Sequence, residues 1–402
     1  MKGMDTTRKD TRIYFRRAPF YFFLRFALPM TILAATIRSR TRHYYFAAAA
    51  HATASNNKRT IASSMTTTTV HPTELLLKCS DGITLAAQSW KRTASSSTAS
   101  TSPKRRRILC LHGWMDNARS FHYLAPTVVA PSSSVTCSET IELVALDIVG
   151  HGKSSHKSLD GPSTVMAEGV YYIAEALHQL GWVSYREEET EEKQQVTLIG
   201  HSMGAALSTL YTSAYPEHVN KLVLLDGAGP LARNPASIVK HVRAHVDKRL
   251  QGNLSRREPR IYPSLEVAVK ARCLTAKNSP GDQWLSTEAA TELILRGTEQ
   301  VIEEGSDAVI GFKFRHDPRL QLPSCMYMTP EQVNAIMHGI NCPTALFLAK
   351  NGWPFEEARL KELLDLLGPA TFETLPGSHH FHADPETAPL VAEKVVEFLD
   401  LK

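Results

Sequence analysis

Residues 196–206 read Val-Thr-Leu-Ile-Gly-His-Ser-Met-Gly-Ala-Ala. A short β-forming run enters a serine bracketed by two glycines, and alanines follow. The pattern predicts a strand, a sharp turn and a helix. A Gly-x-Ser-x-Gly pentapeptide alone carries little weight, since about 0.1–0.2 matches are expected by chance at this length. The flanking strand and helix give it meaning. Ser202 then sits on a strained turn, where a side chain at Gly200 or Gly204 would strike the neighbouring strand or helix. It also stands at a helix N-terminus, where the dipole favours a developing negative charge. The plainer alternative is an ordinary strand-to-helix turn with an N-capping serine.

The same alternation extends over much of the chain. Leu85–Trp90, Arg107–Leu111, Ile141–Asp147, Val196–Ile199, Leu222–Leu225, Thr344–Leu348 and Thr371–Leu375 read as strands. Val165–Trp182, Ala205–Tyr215 and Pro385–Leu399 have helical spacing of apolar residues. Thr93–Lys104 and Arg186–Lys193 read as loops. Alternating strands and helices predict an α/β fold with a mostly parallel central sheet and helices on both faces. Between Gly227 and Cys342 the rhythm breaks into helix-like stretches without a βαβ unit, the pattern of an inserted lid. The expected division is an arm over 1–69, core over 70–230, a mostly helical lid over 231–341, and core again over 342–402.

The formal net charge of +5 is concentrated in the arm. No acidic residue occurs between Asp10 and Glu74, whereas nine Lys and Arg side chains do, and the rest of the chain is mildly acidic. No nucleic-acid partner is therefore expected. An Arg-, Ser-, Thr- and Ala-rich, acid-poor arm has the composition of a cleaved organelle presequence, directed to mitochondrion or plastid. Residues 18–37 are strongly apolar and suggest a signal peptide or membrane anchor instead. Arg25 at the centre would cost a spanning helix about 2.5–3.5 kcal/mol, and Pro29 would kink it. A third reading makes residues 1–64 an extension ahead of a start at Met65. Any membrane contact is expected through this arm alone. The six cysteines lack CxxC spacing, so neither a disulfide framework nor a metal site is expected. Cys110, inside an apolar run, should pack as a small hydrophobe.

From about Leu75 onward the chain resembles the α/β-hydrolases on four separated motifs. They are Leu111-His-Gly-Trp-Met-Asp-Asn-Ala, Asp147-Ile-Val-Gly-His-Gly-Lys-Ser, the turn at Ser202, and Pro376-Gly-Ser-His-His-Phe-His. The first motif, together with residues 293–319, resembles the serine hydrolase-like subfamily. The resemblance implies a Ser-acid-His triad with Ser202 as nucleophile. Family spacing favours His379 as base, while counting from Pro376 favours His380, and His382 then structures the loop. The family often places the acid after the penultimate strand, but here no carboxylate follows that strand until Glu356. The fold's other acid position, at the end of the preceding strand, is filled by Asp226, which is the expected acid, with Glu356 as alternative. The implied oxyanion hole uses the backbone N–H groups of Met203 and, by family position, Trp114. Asp147, His151 and Ser154 are expected to build a structural turn.

Serine at the turn argues against haloalkane dehalogenase and epoxide hydrolase chemistry, where the resemblance would require aspartate. The expected reaction is hydrolysis of an ester or related acyl bond of a small molecule, through an acyl-enzyme and without a cofactor. A thioesterase, a C–C bond hydrolase and a non-catalytic binding protein of the same fold are the alternatives.

Overall fold

The computed structural model describes residues 71–94, 104–130, 139–159, 166–185, 195–252 and 259–401. The expectations for the arm, and for the loop at Arg186–Lys193, lie outside them. The chain divides into two units, Met1–Met65 and Thr66–Lys402, and the second holds all described residues. It opens with strands β1 (Thr73–Lys78), β2 (Thr84–Arg92) and β3 (Lys104–Leu111), the short helix α1 (Leu124–Val129) and β4 (Glu139–Leu146). Helix α2 (Met166–Gln179), β5 (Val196–His201), α3 (Met203–Ala214) and β6 (Val219–Leu225) follow. An insertion carries α4 (Ile238–Gly252), α5 (Leu265–Lys277), α6 (Thr287–Gly297) and the strands β7 (Thr298–Ile302) and β8 (Val309–Phe314). The chain closes with α7 (Pro330–His338), β9 (Thr344–Asn351), α8 (Glu357–Leu367), β10 (Thr371–Ser378) and α9 (Ala388–Leu399).

Eight strands form one sheet in the order β1-β2-β4-β3-β5-β6-β9-β10. β2 runs antiparallel to both β1 and β4, and the remaining pairs are parallel. The central strands are continuous apolar runs because both of their faces are covered. All six residues of β5 are buried, as are Ile108–Leu111 of β3. One face packs on Tyr172 and Leu177 of α2, Leu207 and Tyr211 of α3, and Leu363 of α8. The other packs on Leu124 and Val128 of α1 and Val391, Val395 and Leu399 of α9.

Besides its helices the insertion carries an antiparallel hairpin of β7 and β8. Their exposed outer residues, among them Ile302, Val309 and Ile310, blur the apolar alternation that would mark strands in sequence. Helix α7 falls inside the expected lid span and packs against α3 and α8 of the core, with Val333 and Met337 buried. A capping box between Thr329 and Gln332, with Pro330 in the first turn, starts it. The last helix begins at Ala388, after a turn in which the Asp384 carboxylate accepts from Glu386 N–H. Among the described residues no helix is long and apolar enough to cross a membrane.

Candidate active site

Ser202 stands between β5 and α3 with φ 51° and ψ −113°, a conformation that costs of order 1–3 kcal/mol. The turn holds because three elements meet around it. A Cβ on Gly200 would overlap the Gly204 carbonyl, and one on Gly204 would overlap the Leu111 carbonyl at the end of β3. Both glycines are therefore required by close backbone approach. Ser202 N–H donates to Leu225 O of β6, and its own carbonyl accepts from Ala205 and Ala206.

Asp226 follows the last residue of β6, also at positive φ (44°). Its Oδ1 accepts from Ala349 N–H at 2.9 Å and its Oδ2 from Trp353 N–H at 2.8 Å. Gly352 leaves room for this, since a Cβ there would overlap the carboxylate. The end of β9 and the segment after it, which lacks a nearby carboxylate of its own, thus supply one amide donor each to the carboxylate that follows β6. His379, just past β10, places Nδ1 against Asp226 Oδ2 and Nε2 3.0 Å from Ser202 Oγ. With the proton on Nδ1 donated to Asp226, Nε2 is free to accept from the serine hydroxyl. Glu356 is exposed at the N-terminus of α8, and it is Asp226 that meets the His379 ring.

The family model described as "alpha/beta hydrolase fold" matches residues 106–260. A serine hydrolase-like protein of Dictyostelium discoideum is 27% identical over 81% of each chain. A probable serine hydrolase of Drosophila melanogaster is 27% identical over 74% of this chain and 82% of its own. The crystal structure of a hypothetical protein from Pseudomonas aeruginosa is 30% identical, with a TM-score of 0.64, covering 83% of this chain and all of that one. The chain belongs to the α/β-hydrolases. Its curated relatives place it in the serine hydrolase-like branch of them, as a hydrolase.

The two residues expected to offer backbone N–H groups to an anion, Met203 and Trp114, lie in neighbouring segments. Met203 is the first residue of α3, where N–H groups have no intrahelical acceptor. Trp114 lies in the loop after β3, which the close packing of Gly204 on the Leu111 and His112 carbonyls brings beside the start of α3. The Trp114 ring leans on the insertion, donating from Nε1 to Leu320 O at 3.1 Å.

Next to Ser202, His379 and Asp226 lies a buried network whose pairings the sequence did not show. His380 Nε2 is 3.1 Å from Asp116 Oδ2, and Arg272 of α5 donates to Asp116 Oδ1 at 2.7 Å. His201 donates from Nε2 to the His379 carbonyl at 2.8 Å. Burial alone would raise the Asp116 pKa, but His380 and Arg272 hold it well below the usual carboxylate range. Burial, with His382, His379 and His380 nearby, pushes His201 well below an ordinary histidine. His382 is fully buried, its ring 4.1 Å from that of His201 and 5.2 Å from that of Phe121. Asp116 belongs to the Leu-His-Gly-Trp-Met-Asp motif, so its position was visible, but its partners lie 156 and 264 residues away.

Asp147, His151 and Ser154 form a buried turn after β4. Asp147 accepts from Ala118 N–H at 2.7 Å, Lys153 N–H at 2.7 Å and Arg296 Nε at 2.9 Å. Ser154 Oγ in turn accepts from Ala86 N–H at 2.8 Å, tying the turn to β2.

Proposed function

We propose that this hydrolase cleaves an ester or related acyl bond of a small molecule through an acyl-enzyme, using Ser202, His379 and Asp226. The observation that carries the reading is the continuous line from Ser202 Oγ through both nitrogens of His379 to a carboxylate held by two backbone amides. Ser202 Oγ attacks the substrate carbonyl while its proton passes to His379 Nε2. Asp226 stabilises the resulting imidazolium through Nδ1–H. The N–H groups of Met203 and Trp114 take the charge that develops on the carbonyl oxygen. The imidazolium then returns its proton to the leaving group, and the acyl-serine remains. Water, deprotonated by His379, attacks the acyl-serine carbonyl and releases the acid product. The chain needs no metal or organic cofactor for any of these steps.

Fluorophosphonate labelling of the purified protein tests this directly. Wild type should be labelled with one adduct on Ser202, and Ser202→Ala should not be labelled while melting like wild type. Undiminished labelling of Ser202→Ala would remove the proposal.

A further inference from the structure

Helix α4 is the least covered element of the insertion. From Ile238 to Gln251 every residue is exposed except His241 and His245. Those two, one turn apart, seat the helix on the body of the protein. The His241 ring lies 4.7 Å from that of Tyr327, and His245 Nδ1 donates to Pro323 O at 2.8 Å. At about 100° per residue, Ile238, Val239, Val242, Val246 and Leu250 share one arc of the remaining surface. Val239 and Leu250 are 75% and 77% exposed, so with their neighbours they form a contiguous apolar strip open to solvent, the kind of patch that marks an interaction site. Arg249 falls within that arc and Arg243 beside it, while Lys240 and Lys248 lie further round. The helix carries these four cations against the single carboxylate of Asp247, which lies 3.5 Å from Arg243 Nε in an exposed pair that a phosphate can replace.

We propose that α4 is a docking face for an anionic lipid surface, with its apolar arc in the headgroup boundary and Arg243 and Arg249 on lipid phosphates. An exposed apolar arc bordered by long cationic side chains matches what an interfacial helix requires. The stems of the arginines can lie along apolar surface while their charges reach outward. Charge selects this occupant over the chain's own arm, because the apolar arm is as basic as the helix and would be repelled by it. Area argues against a second copy. A helix of this length offers a strip of roughly 20 by 10 Å, about 200 Å², far below the roughly 800 Å² per partner of a stable interface.

The test is flotation of the full-length protein with vesicles of phosphatidylcholine containing 30 mol% phosphatidylglycerol, and with phosphatidylcholine alone. Wild type should float with the anionic vesicles and lose that partition at high salt. V239S/V246S/L250S and, separately, R243E/R249E should each lower the partition coefficient about tenfold, with circular dichroism melts like wild type. K277Q/K361Q, which removes cations on α5 and α8, should float like wild type. The arm is present in every protein compared and adds the same background, so the readout is the difference between wild type and each α4 variant at a lipid concentration where wild type is half bound. Wild-type partition in both α4 variants would overturn the proposal, as would a dimer that these variants dissociate without changing flotation.

Discussion

At the scale of single residues the site turns on which carboxylate meets the imidazole. Asp226 uses both oxygens, one on Ala349 N–H and the other on Trp353 N–H and His379 Nδ1. An asparagine there would have to turn its NH₂ toward one of these donors, and the only neighbour that can adapt is the imidazole, by moving its proton to Nε2. Nε2 could then no longer take the serine proton. Asp226→Asn should lower kcat by about 10⁴ with little change in KM, as expected when an orienting acid is lost from a triad. Glu356→Gln should change kcat less than about threefold. Steady-state kinetics on an activated ester decide between them, and a crippled Glu356→Gln beside a mild Asp226→Asn would overturn the assignment. Both carboxylates were visible in the sequence. What separates them is a pair of backbone amides more than 120 residues from Asp226 and the bare Cα of Gly352. His379 and His380 are likewise adjacent in sequence and divide between two acids, Asp226 and Asp116, which only the fold reveals.

At the scale of elements, the central strands were legible because burial on both faces makes them continuous apolar runs. The edge strand β1, whose pattern is mostly exposed, and the β7–β8 hairpin gave no comparable signal. Nor could the sequence show how firmly the insertion is tied down. Arg296 at the end of α6 is buried, with Nε on Asp147 and Nη1 on Glu74 at 2.8 Å, bridging the insertion to the turn after β4 and to β1. Asn117 donates to Leu293 O of α6 at 2.9 Å, and Trp284 N–H donates to Ser378 Oγ, next to His379, at 2.8 Å. These bonds describe a docked insertion that shares polar contacts with both site loops. Removing the guanidinium would leave the Asp147 carboxylate fully buried without a cation. Arg296→Ala should therefore destabilise the fold by about 3–5 kcal/mol, read as a shift of the urea unfolding midpoint. A loss below 1 kcal/mol would show that the backbone amides at Asp147 suffice without it.

Across the whole molecule the buried histidines set an acid limit on the fold. Burial pushes His112 down to about 4, and His151 and His382 down to about 3, from an ordinary value of 6.5. Their neighbours account for this. His112 Nε2 accepts from Ile148 N–H at 3.0 Å, which requires a neutral ring. His382 lies among His201, Phe121 and Phe381 with no acceptor for either nitrogen. In the unfolded chain each of these histidines binds a proton near pH 6.5, while in the fold each stays neutral until about pH 4 or below. The unfolded state therefore holds more protons throughout that window, and stability rises with pH. It is complete above about pH 7 and falls as pH drops from 6.5 toward 4, by up to about 1.4 kcal/mol per pH unit for each histidine. His201 and His380, also lowered by burial, add with the same sign. Asp116 acts in a separate window. Its depressed pKa contributes stability above the ordinary carboxylate value of 3.8, and that contribution is lost only below it. Urea midpoints measured from pH 7.5 to 5 should therefore fall steeply below 6.5, with several kcal/mol gone at pH 5. His382→Leu removes one titrating ring and two unbonded nitrogens at similar volume. It should keep or raise stability at pH 7.5 and lower the pH slope by about one proton. Equal stability at pH 5 and pH 7.5 in wild type would show that these rings take up protons inside the fold, and the account of the buried cluster would fail.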